Sequence, residues 1–123
     1  MDWQPQVTQD ENGIITITIE QAHAVVDSEQ WLRLFERLVD SRVRGLILDC
    51  SQVTTPSSPL MSALTWCRQL AHRHGIEACV VGCQSRLTRA LEITELTRVL
   101  LIAENAGAAI ELLLRPQEGA SGS

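Results

Sequence analysis

The sequence contains no lysine: its ten cationic side chains are all arginine, set against fifteen acidic ones for a net charge of −5 at pH 7. A P-loop is thereby excluded, because that loop needs a lysine ammonium on the phosphates. No basic stripe exists to displace phosphate counterions, so nucleic acid is not an expected partner. Long apolar runs are missing as well. The longest, Val99 to Ala103, is far short of the ~20 residues of a membrane-spanning helix, and no membrane insertion is expected. The stretch Met1-Asp2-Trp3-Gln4-Pro5 has neither the basic nor the apolar region of a secretory leader. The expectation is a soluble, cytoplasmic protein.

Cysteines are few and unpaired in pattern. Cys50, Cys67, Cys79 and Cys83 include no C-x-x-C pair, and the closest spacing is C-x3-C. Zinc sites favour tighter, paired ligands, whereas each of these residues sits in an apolar stretch, where a free thiol packs as a small hydrophobe. The run His72-Arg73-His74 does not supply a metal site, because positions i and i+2 of a helix point in different directions. No metal or cofactor is expected.

The chain has the composition of a packed domain, with 45% hydrophobic and 20% charged residues. A length of 123 residues suits one domain that buries roughly two-thirds of its unfolded surface without disulfides or metal. Residues 1–115 are read as that domain. Residues 116–123, rich in Gly, Ala and Ser, are read as a flexible C-terminal tail.

Hydrophobic periodicity orders the elements. Ile15, Ile17 and Ile19 alternate with Thr16 and Thr18 in a strand from Ile14 to Ile19, and Asn12-Gly13 before it predicts a hairpin with a short strand around Gln6–Gln9. Trp31, Leu34, Phe35 and Leu38 then recur at helical spacing, with Asp27 or Ser28 as the N-cap. Leu46-Ile47-Leu48 and Ile76–Val81 are continuous apolar runs, as expected of strands covered on both faces. Between them, Leu60, Ala63, Leu64, Cys67, Leu70 and Ala71 form one helical stripe that ends near Gly75. A third helix carries Leu87, Ala90, Leu91 and Thr94. Val99 to Ile102 is expected as the last strand, and Ala106, Ala109, Ile110 and Leu113 stripe the last helix. The order ββαβαβαβα predicts an α/β fold with a mixed, mostly parallel sheet of four to five strands and about four helices.

The most distinctive stretch runs from Asp49 through Cys50-Ser51-Gln52-Val53-Thr54-Thr55-Pro56-Ser57-Ser58-Pro59 to Leu60, joining a buried strand to a helix. In open α/β sheets such junctions carry function. Ser57 or Ser58 ahead of Pro59 is a helix-start signal, since serine caps a free N–H and proline has none to leave unpaired. The same position favours anions, so a phosphate on either hydroxyl would be tolerated by the helix and could expel a docked partner.

The element order, together with the segments LILDCSQV (Leu46–Val53), GIEACVVGC (Gly75–Cys83) and LTRALEITELTRVLLI (Leu87–Ile102), resembles the STAS domain of anti-sigma factor antagonists. The resemblance spans roughly residues 7 to 114. The family pattern is an Asp-Leu-Ser-x-Val segment followed by Asp-Ser-Ser-Gly-Leu-Gly at the next helix start. Counted without gaps from Asp49, the loop aspartate falls on Ser57, the first serine on Ser58, the phosphorylated residue on Pro59 and the glycine on Leu60. A one-residue slip places Ser58 at the phosphorylated position and Pro59 at the glycine. The Asp and Gly of the pattern are absent in either register, and Ile19-Glu20-Gln21-Ala22-His23 stands in place of a Gly-Glu-Leu-Asp turn.

The resemblance implies a non-catalytic regulatory module that docks a protein partner, an anti-sigma factor or serine kinase, through Thr55, Pro56, Ser57, Ser58, Pro59, Leu60, Met61 and Trp66. Ser58 and Ser57 are then the candidate phosphorylation sites. Met61 is expected well off the apolar stripe of its helix and Trp66 at its border, where either would serve an interface. An alternative with the same fold is an accessory subunit that binds the ATPase of an ABC-type lipid transporter. A small hydrolase is a lesser alternative. No G-x-S-x-G elbow is present, and His23, His72 and His74 have no spacing that places one beside Ser57 or Ser58. Glu92 and Glu95 read as a solvated helix face, as do Arg86 and Arg89, whose spacing would otherwise suit a small anion site.

Overall fold

The computed structural model describes residues 5–20 and 27–115. The expected tail at 116–123 and His23 lie outside the described residues. The N-terminal hairpin pairs β1 (Val7–Gln9) antiparallel with β2 (Ile14–Thr18). Its turn is held by the Asp10 carboxylate, whose Oδ1 accepts from the N–H groups of Asn12 at 2.8 Å and Ile14 at 2.9 Å. Gly13 adopts φ +81° there, and a Cβ on it would lie 2.4 Å from the Arg42 carbonyl oxygen, so no other residue fits without displacing backbone.

Helix α1 (Ser28–Leu38) opens on a capping box: Asp27 Oδ1 accepts from Gln30 N–H at 2.9 Å while the Gln30 side chain accepts from Asp27 N–H. Strand β3 (Gly45–Asp49) leads to α2 (Ser58–Arg73), β4 (Glu77–Val81) to α3 (Ser85–Ile93), and β5 (Leu101–Ala103) to α4 (Ala106–Leu114). The strands lie side by side in chain order β1-β2-β3-β4-β5, all parallel from β2 onward.

Register sorts the side chains of the central strands by parity. Ile15, Leu46 and Ala78 are neighbours on one face, where Leu48 and Val80 continue the same core. That face is covered by Trp31, Leu34 and Phe35 of α1, by Leu60, Leu64, Cys67 and Leu70 of α2, and by Leu87 and Leu91 of α3. The opposite face, with Ile14, Ile47, Cys79 and Val81, packs against Ala109 and Leu113 of α4. Both apolar strands are therefore covered on two sides, as their unbroken apolar runs predict.

Two sequence expectations change. The last strand is Leu101–Ala103 rather than Val99–Ile102. Glu95 takes a left-handed conformation at φ 61°, a 3-10 turn follows over Leu96–Arg98, and its hydrogen bonds from Val99 and Leu100 N–H to Leu96 O keep Val99 out of the sheet. Ala106 is exposed at the helix start, so the last apolar stripe begins at Ala109.

Leu64 is fully buried at the middle of α2 in the larger core. Leu64→Ala should therefore cost about 2–5 kcal/mol, read as a lower urea midpoint at an unchanged slope.

Candidate functional site

The loop between β3 and α2 is pinned at both ends and bows outward between them. At its start the Asp49 carboxylate accepts from Ser51 N–H at 3.0 Å, and Val53 N–H closes a turn onto Cys50 O at 3.0 Å. Cys50 and Val53 are sealed from solvent. At its end Leu60 is likewise fully buried in the core. Thr54, Thr55, Ser58 and Pro59 are exposed between these anchors, with Pro56 and Ser57 half-buried.

The two serines are not equivalent. Ser57 is the N-cap of α2: its hydroxyl oxygen accepts from Leu60 N–H at 3.2 Å, and its backbone carbonyl accepts from Met61 N–H at 3.0 Å. Ser58 is the first helical residue and is exposed, and Pro59 follows it within the first turn, where a missing N–H costs nothing. A substituent on Ser58 would stand at the positive end of the helix dipole without disturbing the cap.

Of the residues expected to touch a partner, the structure turns two inward. Leu60 belongs wholly to the core, and Met61 is 9% exposed rather than standing clear of the apolar stripe. Met61 lies three residues before Leu64, close enough to its side of α2 to pack into the larger core. Trp66 is half-buried. Its indole N–H donates to the Ser28 carbonyl at 3.2 Å, tying α2 to the beginning of α1, and the Arg73 guanidinium lies 6.0 Å from the ring centroid.

Met61 and Trp66 nevertheless share an open groove of about 350 Å³ with Ser58, Ser62, Thr65, Gln69, Thr94 and Leu96. None of these side chains is charged. The α2 members recur at helical spacing from Ser58, so a polar stripe was visible in the sequence. Thr94 and Leu96, across the groove, come from the segment after α3 and carried no such signal. Close by in the chain, Ile93 and Val99 are the exposed large hydrophobics among the described residues, at 72% and 43%.

The remaining candidates separate in space. His72 and His74 sit at the far end of α2, about 20 Å from Ser57 and Ser58 at 1.5 Å per residue. His72 Nε2 pairs there with Glu77 Oε1 at 3.0 Å. Arg89 lines an open groove of about 650 Å³ with Cys83, Ser85, Thr88, Glu92 and Ile93. Arg86, Glu92 and Glu95 are exposed. Among the described residues no group of three His, Cys, Asp or Glu side chains is placed to hold a metal ion, and no helix is long and apolar enough to cross a membrane.

The loop that opens α2 also leans on the one that opens α3. Gln84 Nε2 donates to the Ser51 carbonyl at 3.1 Å, and Cys50 N–H donates to Val81 O at 2.9 Å. Gly82 turns the chain between them at φ +71°, and a Cβ there would lie 3.1 Å from Ser51 Cβ and 3.2 Å from Asp49 Oδ1.

A singly wound sheet with its strand-to-helix loops gathered at one end is thus joined to a sequence that the STAS domain profile matches over residues 5–109. The chain belongs to the STAS domain family. Solved STAS-like structures superpose over most of its length. RsbS of Moorella thermoacetica, bearing a serine-to-glutamate change, aligns with a TM-score of 0.72 at 16% identity, covering 90% of this chain and 95% of that one. A chain from the stressosome, described as a signal integration and transduction hub, aligns at 0.75 and 17% identity over 96% and 100%. An anti-sigma factor antagonist from Mycobacterium paratuberculosis aligns at 0.64 and 16% identity over 91% and 94%. At these identities the likeness is one of fold. Among curated proteins no sequence match is found.

In this STAS domain the Gly82 turn brings the two loops together, and replacing it tests that contact. Gly82→Ala should cost about 1–2 kcal/mol for the left-handed backbone alone, plus the close approach to Ser51. Gly75→Ala has a similar φ of +76° but open space around it, so the difference between the two urea midpoints measures the approach.

Proposed function

We propose that this STAS domain is a non-catalytic regulatory module that binds a protein partner of the anti-sigma factor or serine-kinase type through the loop at 54–59 and the adjoining groove. The observation that carries the reading is the placement of an exposed Thr54-Thr55 and Ser58-Pro59 beside an uncharged groove floored by Met61 and edged by Trp66 and Leu96. An interface of this kind excludes water with apolar and aromatic side chains at its centre and small polar ones at its rim. Nothing in the reading requires chemistry on the domain. Among the described residues no histidine lies within reach of Ser57 or Ser58, since His72 and His74 are at the other end of α2.

Ser58 is the site proposed for phosphorylation, and Ser57 stays the cap. A dianionic phosphate at the first turn sits well with the helix dipole, so its cost falls on the partner and not on the fold. Incubation with a cognate kinase and ATP should add one phosphate, mapped to Ser58. Phosphate on Ser57, or none on either serine, would refute this part.

The docking reading is checked by affinity capture from native extract followed by mass spectrometry, with the captured protein then made pure and its Kd measured. An anti-sigma factor or serine kinase is the expected catch, and a transporter ATPase would transfer the role to the alternative partner. Ser58→Glu and Ser62→Arg should each weaken binding by about tenfold or more, equivalent to about 1.4 kcal/mol. His72→Ala, at the opposite end of the helix, should leave the Kd unchanged. Equal loss in all three variants would place the interface elsewhere.

A further inference from the structure

The contact between the β3–α2 and β4–α3 loops places two thiols together. Cys50 is the first residue after β3 and is 0% exposed, and Cys83 follows Gly82 just beyond β4 and is half-buried. The strands that deliver them are adjacent and parallel, with Asp49 opposite Val81 in register. Continued by one residue, that register sets Cys50 opposite Gly82 and one step from Cys83. Strands about 4.8 Å apart with a rise of about 3.3 Å per residue put such diagonal positions roughly 6 Å apart, within the Cα separation of about 4.4–6.8 Å that a disulfide bridges. Beyond the strand ends, the Cys50-to-Val81 and Gln84-to-Ser51 hydrogen bonds and the Gly82 turn keep the segments in contact on both sides of the thiols.

The thiols differ in access and in charge preference. Cys83 opens onto the groove lined by Ser85, Thr88 and Arg89, which gives a small oxidant a path to it. Cys50 lies behind it in the core. The interaction between the two thiols lowers the Cys83 pKa from the usual thiol value against the opposing effect of burial, and the same interaction with burial pushes Cys50 up. The thiolate therefore forms on the accessible sulfur and the proton stays on the enclosed one. Cys67 is sealed in the core with its pKa raised by burial, and burial pushes Cys79 up to about 11.

We propose that Cys83 and Cys50 form a peroxide-responsive dithiol, with Cys83 as the attacking thiol and Cys50 as the resolving one. The Cys83 thiolate attacks one oxygen of a hydroperoxide. The O–O bond breaks, a sulfenic acid forms, and the departing oxygen takes a proton to leave as water or alcohol. The Cys50 sulfur then attacks the sulfenic sulfur, its proton leaves with the hydroxyl as water, and the S–S bond closes. Two thiols are oxidised by two electrons and one peroxide is reduced. A dithiol reductant reverses the change by thiol–disulfide exchange. The bond would staple the loop that enters α2 to the loop that enters α3. The chemistry does not depend on the docking surface being as proposed above.

The test is made on the reduced full chain with one equivalent of hydrogen peroxide, followed by intact mass and non-reducing peptide mapping. The expected product is a monomer lighter by two hydrogen atoms, carrying a Cys50–Cys83 cross-linked peptide that dithiothreitol releases. Cys50→Ser should instead leave a Cys83 sulfenic acid that dimedone traps, whereas Cys83→Ser should lose both the cross-link and the dimedone adduct. Sulfinic acid on Cys83 with Cys50 still free, a bridge through Cys67 or Cys79, an intermolecular bridge or no oxidation in the wild-type chain would each overturn the proposal. That reading uses the unmodified protein and stands even if a variant fails to fold.

Discussion

Each passage from strand to helix to strand in this chain steps to the next strand in the same direction. A right-twisted strand feeding a right-handed helix returns onto the sheet with one hand, so α1, α2 and α3 are all delivered to the same face. The larger core is the consequence, and α4, which has no further strand to reach, closes the other face. The strand order never reverses. Open α/β sheets bind small ligands in the crevice formed where it does reverse, and a singly wound sheet has no such crevice. What it offers is an outer rim of strand-to-helix loops, which the proposed docking would use.

Within that rim, apolar anchoring and polar exposure alternate over a few residues. Val53 and Leu60 are buried completely, at roughly 1.5–3 kcal/mol per large aliphatic side chain, and anchor the two ends of the short bow between them. The bow itself returns little burial. Division of labour between the serines follows from helix geometry: one hydroxyl satisfies an otherwise unpaired N–H at the cap, and the next faces outward. The loop that precedes α3 leans on the same region through Gln84 and Gly82.

Much of this was legible in the residues. The alternating isoleucines of β2, the doubly covered runs of β3 and β4, the Asp27 cap and the Ser57–Pro59 helix start are signals local to a few positions, and they fold as local physics dictates. The last strand was displaced because Val99 and Leu100 satisfy any strand propensity, whereas the left-handed Glu95 and the turn after it are set by contacts with the α3 end. Met61 illustrates a second limit. Its distance from the apolar stripe on a helical wheel suggested exposure, but burial depends on what stands opposite, and Met61 packs into the larger core.

Amphipathic period, capping chemistry and strand–helix alternation are properties of neighbouring residues, and they sufficed for the layered architecture and for the position of the loop at 49–60. The pairing of Cys50 with Cys83, the groove between α2 and the turn at Leu96, and the fastening of Trp66 to Ser28 join positions far apart in the chain. Such contacts arise when parallel strands align in register and bring their outgoing loops to one edge, and no local pattern of side chains encodes that distance.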